Sequence, residues 1–228
     1  LIFLTHASEI SARASNFDEP LTPTAITLKE ASTRGAAAVS PVKIDNRGIF
    51  VTRPGTRLAE FVYSIERQDY QAAELNRFNE DIGGDGLVEL DVQIHKEPYV
   101  WSVRADGECP VLLYDPAAEA IGWVRFIAAP SVAADAEIES VCVLPGSEQD
   151  SVYLSVKRTI DGSVVRFVEK LAKMSEAVGA ATNKMADAAT LTAGPASSVT
   201  VAHLANETGL VAWGTNTSTG VSGPIVGL

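Results

Sequence analysis

The side chains best suited to chemistry in this chain are its carboxylates, three histidines, three tryptophans and two cysteines. Glycoside hydrolysis needs two carboxyl groups about 5–9.5 Å apart. Glu60, Glu66, Asp91, Glu97, Asp106, Asp115, Glu119, Glu137 and Glu139 are all candidates. With so many acids, a suitable pair is expected by chance, so the composition gives no support to a hydrolase. His6, His95 and His203 are far apart, none with a cysteine beside it, and no pair has metal-ligand spacing. No metal site is expected. The chain contains no G-x-S-x-G, no S-x-x-K and no P-loop. Gly83-Gly-Asp-Gly86 follows a segment read as a helix rather than a strand, and so is read as a helix stop, not a phosphate cradle. No catalytic residue and no cofactor is expected.

Trp101, Trp123 and Trp213 each lie in a strand-like run. Solvent-facing indoles stack on sugars, and inward-facing ones pack between sheets. Packing is the commoner use and is the expectation here. Cys109 and Cys142 lie in or beside apolar runs without a CxxC, and are read as two buried free thiols. Asn206-Glu-Thr208 and Asn216-Thr-Ser218 match glycosylation sequons, which are read as accidental.

These residues are carried mostly by hairpins. Ile49–Gly55 runs into Leu58–Tyr63, Val100–Gly107 into Val111–Tyr114, and Val152–Gly162 into Val164–Val168. Pro54-Gly55, Asp106-Gly107 and Asp161-Gly162 supply the turns. A fourth copy is read at the N-terminus, where Leu1–Leu4 meets His6-Ala-Ser8 and then Glu9–Arg13. A period of about fifty residues implies radial β repeats of the propeller kind. Further strands are expected at Ile26–Leu28, Val88–Ile94, Ile121–Ile127, Ile138–Leu144 and in the tail from Val199.

Two segments break the β pattern. Over Gln68–Asp81, the spacing of Ala72, Ala73, Leu75, Phe78 and Ile82 predicts a helix. Over 167–185, a strand end is predicted to pass into a short helix. The expected organisation is propeller-like β repeats over 1–175, a small-residue linker over 176–198, and the start of a further β domain or closing blade over 199–228. No apolar run reaches the ~20 residues that span a bilayer. The chain opens at Leu1 inside a strand-like run with no basic leader, and so reads as a piece of a longer polypeptide.

The net charge is −11. That disfavours grasping a phosphate backbone, which needs clustered Lys and Arg. The simpler account of the acidity is solubility, and it is also compatible with a channel wall that repels DNA and lets it slide.

The order of blocks along the chain is specific. Pro41-Val-x-Ile-x-Asn-x-Gly-Ile-Phe-Val51 precedes Gly55-Thr-Arg-Leu-Ala-Glu-Phe-Val-Tyr63 and Tyr70-x-Ala-x-Glu-Leu75. Pro98-Tyr-Val-Trp-Ser-Val-Arg-x-Asp-Gly107, Leu113-Tyr114 and Gly122-Trp123 follow. Then come Glu139-Ser-Val141, Ser151–Gly162 with Arg158, Arg166-Phe-Val-Glu169 and Thr200-Val-Ala-His-Leu204. In this order the blocks resemble the tail nozzle (tail tubular protein B-like) proteins of short-tailed bacteriophages. They cover nearly the whole chain. The departures are Ala205-Asn-Glu207 after His203-Leu204 and Glu74-Leu-Asn76.

The resemblance implies an all-β, propeller-like platform that assembles as a ring, usually of six copies, below the portal and adaptor. Such a ring continues the DNA channel and carries fibres or spikes. It implies a virion component, assembled in the bacterial cytoplasm, without catalysis, cofactor or membrane anchor. The residues it marks as structural are Trp101, Asp106, Gly107, Tyr114, Trp123, Arg158, Gly162 and Glu169. The opposing expectation is a carbohydrate-binding or glycan-hydrolysing β domain of a tail spike or adhesin. A generic scaffold repeat is the third.

Overall fold

The computed structural model describes residues 1–14, 20–66, 69–128, 136–160, 162–173 and 175, and the backbone of 213–215 and 222–224. The architecture is nearly all β, built from four antiparallel sheets and one short ribbon. Sheet 1 is β1 (Ile2–Leu4), β2 (Glu9–Ala14) and β3 (Ile26–Ser32). Sheet 2 is β4 (Val42–Ile44), β5 (Arg47–Val51), β6 (Leu58–Ser64) and β7 (Asp69–Glu74). Sheet 3 is β8 (Leu87–Gln93), β9 (Tyr99–Arg104), β10 (Cys109–Asp115) and β11 (Ala120–Phe126). Sheet 4 is β12 (Glu137–Leu144), β13 (Ser151–Ile160) and β14 (Ser163–Lys170). The ribbon pairs β15 (Trp213–Thr215) with β16 (Ser222–Pro224). Each sheet is a meander in which strands adjacent in sequence are adjacent in space. Short connections between antiparallel neighbours make this the cheapest topology to close.

The sheets stack face to face, with one apolar cluster at each junction. Phe50, Ala59 and Phe61 of sheet 2 meet Ile2, Leu4 and Ala31 of sheet 1. Ile49, Val51 and Leu58, on the other face of sheet 2, meet Leu90, Val100, Leu112 and Tyr114 of sheet 3. Trp101, Val103, Cys109 and Val111, on the far side of sheet 3, meet Ile138, Val141, Leu154 and Val156 of sheet 4. The period of two along a strand explains the division. In β5, Ile49 and Val51 point one way and Phe50 the other; in β9, Val100 points opposite to Trp101 and Val103. Strands buried on both faces therefore read as continuous apolar runs.

The three hairpins centred on Gly55, Gly107 and Gly162 form β5–β6, β9–β10 and β13–β14, and the N-terminal copy forms β1–β2. The helix expected over Gln68–Asp81 does not form. Asp69–Glu74 is strand β7, paired with β6 from Ala59↔Glu74 to Ser64↔Asp69, and the segment's helical content is a 3-10 turn at Glu80–Ile82. Pairing outweighs the helical propensity of two alanines. The Tyr70 ring stacks on Phe61 at 5.1 Å with an 8° tilt, and Tyr63 meets it edge-on at 5.2 Å. Phe78, which the helical spacing placed inward, is 94% exposed.

Gly83 ends the 3-10 turn, as expected of a helix stop, and Gly86 adopts φ +107°. Cys109 is buried, but Cys142 is exposed. It alternates with Val141 and Val143, which take the inward positions on β12. Over 167–185, β14 runs to Lys170 and Leu171 extends the pairing through its amide to the Val152 carbonyl, 2.9 Å. The helix predicted beyond, and the linker 176–198, lie outside the described residues. β15 and β16 fall in the segment expected to be β-rich.

Candidate functional site

No single cleft gathers the marked residues. Several lie at the junctions between sheets, where one backbone device recurs. The β1–β2 connection accepts a hydrogen bond at the Thr5 carbonyl from the Ala36 amide, 2.7 Å, just before β4. The β5–β6 turn accepts at the Gly55 carbonyl from Leu87, 2.8 Å, where β8 begins. The β9–β10 turn accepts at the Gly107 carbonyl from Ile138, 2.8 Å, in β12. The hairpin turns of sheets 1, 2 and 3 thus each hold the incoming edge of the next sheet. Residue 36 docks on 5, 87 on 55 and 138 on 107, a step of about 31 residues each time.

Asp106 and Gly107 form the last of these turns. Gly107 has φ +87°, and a Cβ there would lie 2.6 Å from Cβ of Glu137. Only glycine admits both the left-handed backbone and the close approach of β12. Asp106 accepts from the Glu108 amide at 3.2 Å and pairs with Arg104. Arg104, 8% exposed, also donates to the Asp81 carbonyl at 3.0 Å and to Glu108 at 3.0 Å. This ties the loop before β8 to the β9–β10 hairpin.

Tyr114 crosses from sheet 3 to sheet 2. Its hydroxyl donates to Glu60 on β6. Arg47 on β5 donates to the same hydroxyl at 3.0 Å and to Glu60 at 2.6 Å. Burial, followed by the bond to Glu60, pushes the Tyr114 phenol well above its ordinary value, and Arg47 opposes only part of this. Trp123 on β11 is half-buried and donates Nε1–H to the Leu75 carbonyl at 3.1 Å, joining the outer edges of sheets 2 and 3. Trp101 is 4% exposed and meets Phe126 edge-on at 5.8 Å within the cluster between sheets 3 and 4. Both are packed as expected. The Trp213 side chain lies outside the described residues.

Arg158 and Glu169 form a two-pronged pair across β13 and β14, at 2.8 and 3.0 Å. Gly162 has φ +73°, with nothing within 4 Å of the place a Cβ would take. Of the eight marked residues, Gly107, Tyr114, Trp101 and Trp123 therefore bridge or fill junctions, and Asp106 braces the β9–β10 turn within sheet 3. Arg158, Gly162 and Glu169 lie within sheet 4.

Sequence reasoning missed the clip made by Asp150. Its carboxylate accepts from the amides of Ile94 and His95, both 2.9 Å, and of Gly146, 3.2 Å. Burial works against its charge, but these amides outweigh burial and hold the carboxyl below its ordinary value. Asp91 makes a parallel clip, accepting from the Val143 amide at 2.6 Å. Asn76, 1% exposed, accepts from the Leu58 amide and donates to the Thr56 carbonyl. Each carries a polar side chain beside a strand, and the sequence offers no sign of which backbone it meets.

The acids considered for hydrolysis are largely engaged in such contacts. Glu60 and Asp91 hold junctions, Asp115 caps the Ala118 amide, Glu137 pairs with Lys157, and Glu139 pairs with Arg166. A groove between sheets 1 and 2 is lined by Ser32, Arg34, Asp69 and Tyr70, and its charges are paired with Glu74 and Lys29. Among the described residues no group of three His, Cys, Asp or Glu is placed to hold a metal ion. His203 lies outside them. Burial pushes the Cys109 thiol up to about 12, so at neutral pH it is a packed thiol rather than a nucleophile.

No protein-family model matches the chain, and no curated protein matches it in sequence.

Proposed function

We propose that the stacked meanders are blades of a propeller-like platform and that the chain is a structural part of a short-tailed phage tail nozzle. In this reading the protein works by assembly, as a subunit of a homo-oligomeric ring, sixfold in the family it resembles, that continues the DNA ejection channel. It contacts the tail adaptor on one side and fibres or spikes on the other. It needs no cofactor and no catalytic group. The observation that carries the reading is the face-to-face stack with the same turn-to-edge fastener at successive junctions. Residues spent on holding sheets together are what a scaffold requires. The order of sequence blocks supplies the nozzle assignment. The net charge of −11 suits a wall along which DNA passes without specific binding.

The carbohydrate-binding alternative asked Trp101 and Trp123 to offer stacking surfaces. Both indoles are engaged in packing, so neither favours it. The test is electron microscopy of the full-length gene product, averaged end-on. A rotationally symmetric ring with an open axial channel is the expected result. A discrete monomer or trimer without a channel overturns the nozzle reading.

A further inference from the structure

Sheet 4 is one strand short of sheets 2 and 3, and its outer face carries apolar side chains in water. Val164 is 56% exposed, Val168 79% and Leu144 50%. Cys142, also exposed, lies beside them, directly opposite Tyr153 on β13. In sheets 2 and 3 the equivalent face is covered by the following sheet. The turn of sheet 4 is equally open. Thr5, Gly55 and Gly107 each hold the edge of a following sheet, whereas no described residue docks on the Gly162 turn.

Turns at 55, 107 and 162 separate the second and third strands of the repeat, or their equivalents. The next turn in this series falls about 54 residues beyond Gly162, near 216. β15 ends at Thr215 and β16 begins at Ser222, and the two pair antiparallel in phase with the series. We infer that the β15–β16 ribbon is the central hairpin of a fifth sheet of this chain, which covers the outer face of sheet 4. The occupant is the chain's own C-terminal segment because the next hairpin arrives at the right distance along it. The inference rests on the stacked-repeat reading of the fold, but not on ring assembly or on a phage role.

Cys142 is the natural probe. The full 228-residue chain is treated with a bulky maleimide, and the rates at Cys142 and Cys109 are followed by peptide mass. A covered face makes Cys142 react at least about tenfold more slowly than in the guanidinium-unfolded chain, because reaction waits for local opening. The rate is independent of protein concentration. Val168→Asp, at a position too exposed to be needed for sheet 4 itself, restores fast reaction at Cys142 while Cys109 stays silent. Fast reaction at Cys142 in the unaltered chain overturns the inference. So does protection that disappears on dilution, which assigns the face to a second copy, and so does protection that Val168→Asp leaves unchanged. A negative ring image with a protected Cys142 removes the nozzle reading alone.

Discussion

Sheets 2 and 3 differ from sheets 1 and 4 in how many faces they bury. In the middle pair, β5, β9 and β10 are packed from both sides, and Ile49, Phe50, Val100 and Leu112 are all at or below 1% exposure. In the outer pair, one face packs and the other carries Leu1, Phe3, Ile26 and Leu28 at one end of the stack, and Val164 and Val168 at the other, all left uncovered by sheets 1 to 4. The backbone topology is the same throughout. A meander alone therefore does not determine how firmly a sheet is held; its neighbours do.

The comparison breaks first on aromatic truncation. Phe61→Ala, between sheets 1 and 2, removes a ring with 1% exposure and is expected to cost about 3–5 kcal/mol. Phe3→Ala, on the open face at 45% exposure, is expected to cost less than about 1 kcal/mol. Denaturant unfolding of both variants checks this, and equal losses would mean that the outer face is already a core.

The two turn glycines sharpen it. Gly162→Ala meets open space and carries only the strain of a left-handed backbone, about 1–2 kcal/mol. Gly107→Ala carries the same strain and also pushes against Glu137 on β12, adding about 1–3 kcal/mol of overpacking. Thermal unfolding distinguishes them, and a Gly162→Ala as damaging as Gly107→Ala contradicts an open turn.

The smallest effect is expected at the Tyr114 bridge. Tyr114→Phe leaves Arg47 paired with Glu60 and is expected to cost about 1 kcal/mol at neutral pH. The pH dependence carries more information. The unfolded phenol ionises near 10.0, while the folded one holds its proton to higher pH. Above pH 10 the unfolded chain therefore binds fewer protons than the folded one, and stability falls with rising pH until the folded phenol also ionises. Below pH 10 the contribution is complete. Unfolding free energies at several alkaline pH values should show this decline, and Tyr114→Phe should flatten part of it. An unchanged slope would place Tyr114 outside the bridge.

The hairpins were legible because their signals are local. A glycine at the turn and alternating apolar residues on either side suffice for β5–β6, β9–β10 and β13–β14. The misreading of Gln68–Asp81 has the opposite origin. Ala72 and Ala73 favour a helix in isolation, and the β6 edge that recruits them as a strand is not written in their own segment. Cys142 shows the limit of reading apolar runs, since only the face assignment of Val141 and Val143 sends its thiol outward. Trp101 and Tyr114 could be marked in advance as structural, but their partners could not. The Asp150 clip joins residues 56 and 55 positions apart, and such meetings depend on how sheets stack rather than on any neighbouring residue.

The meander topology has a consequence for the time course of synthesis. Every ladder in sheets 1 to 4 pairs strands that follow one another in the chain. Each sheet can therefore close soon after its last strand leaves the ribosome, with little loop entropy to overcome. At that moment it is the growing end of the stack, with an uncovered greasy face and an empty turn carbonyl. Each newborn sheet is thus both a finished fold and a template awaiting its successor, so assembly has a direction, from the first strand to the last. A pause in translation would be most hazardous just after a sheet's last strand, when that face waits longest for its cover.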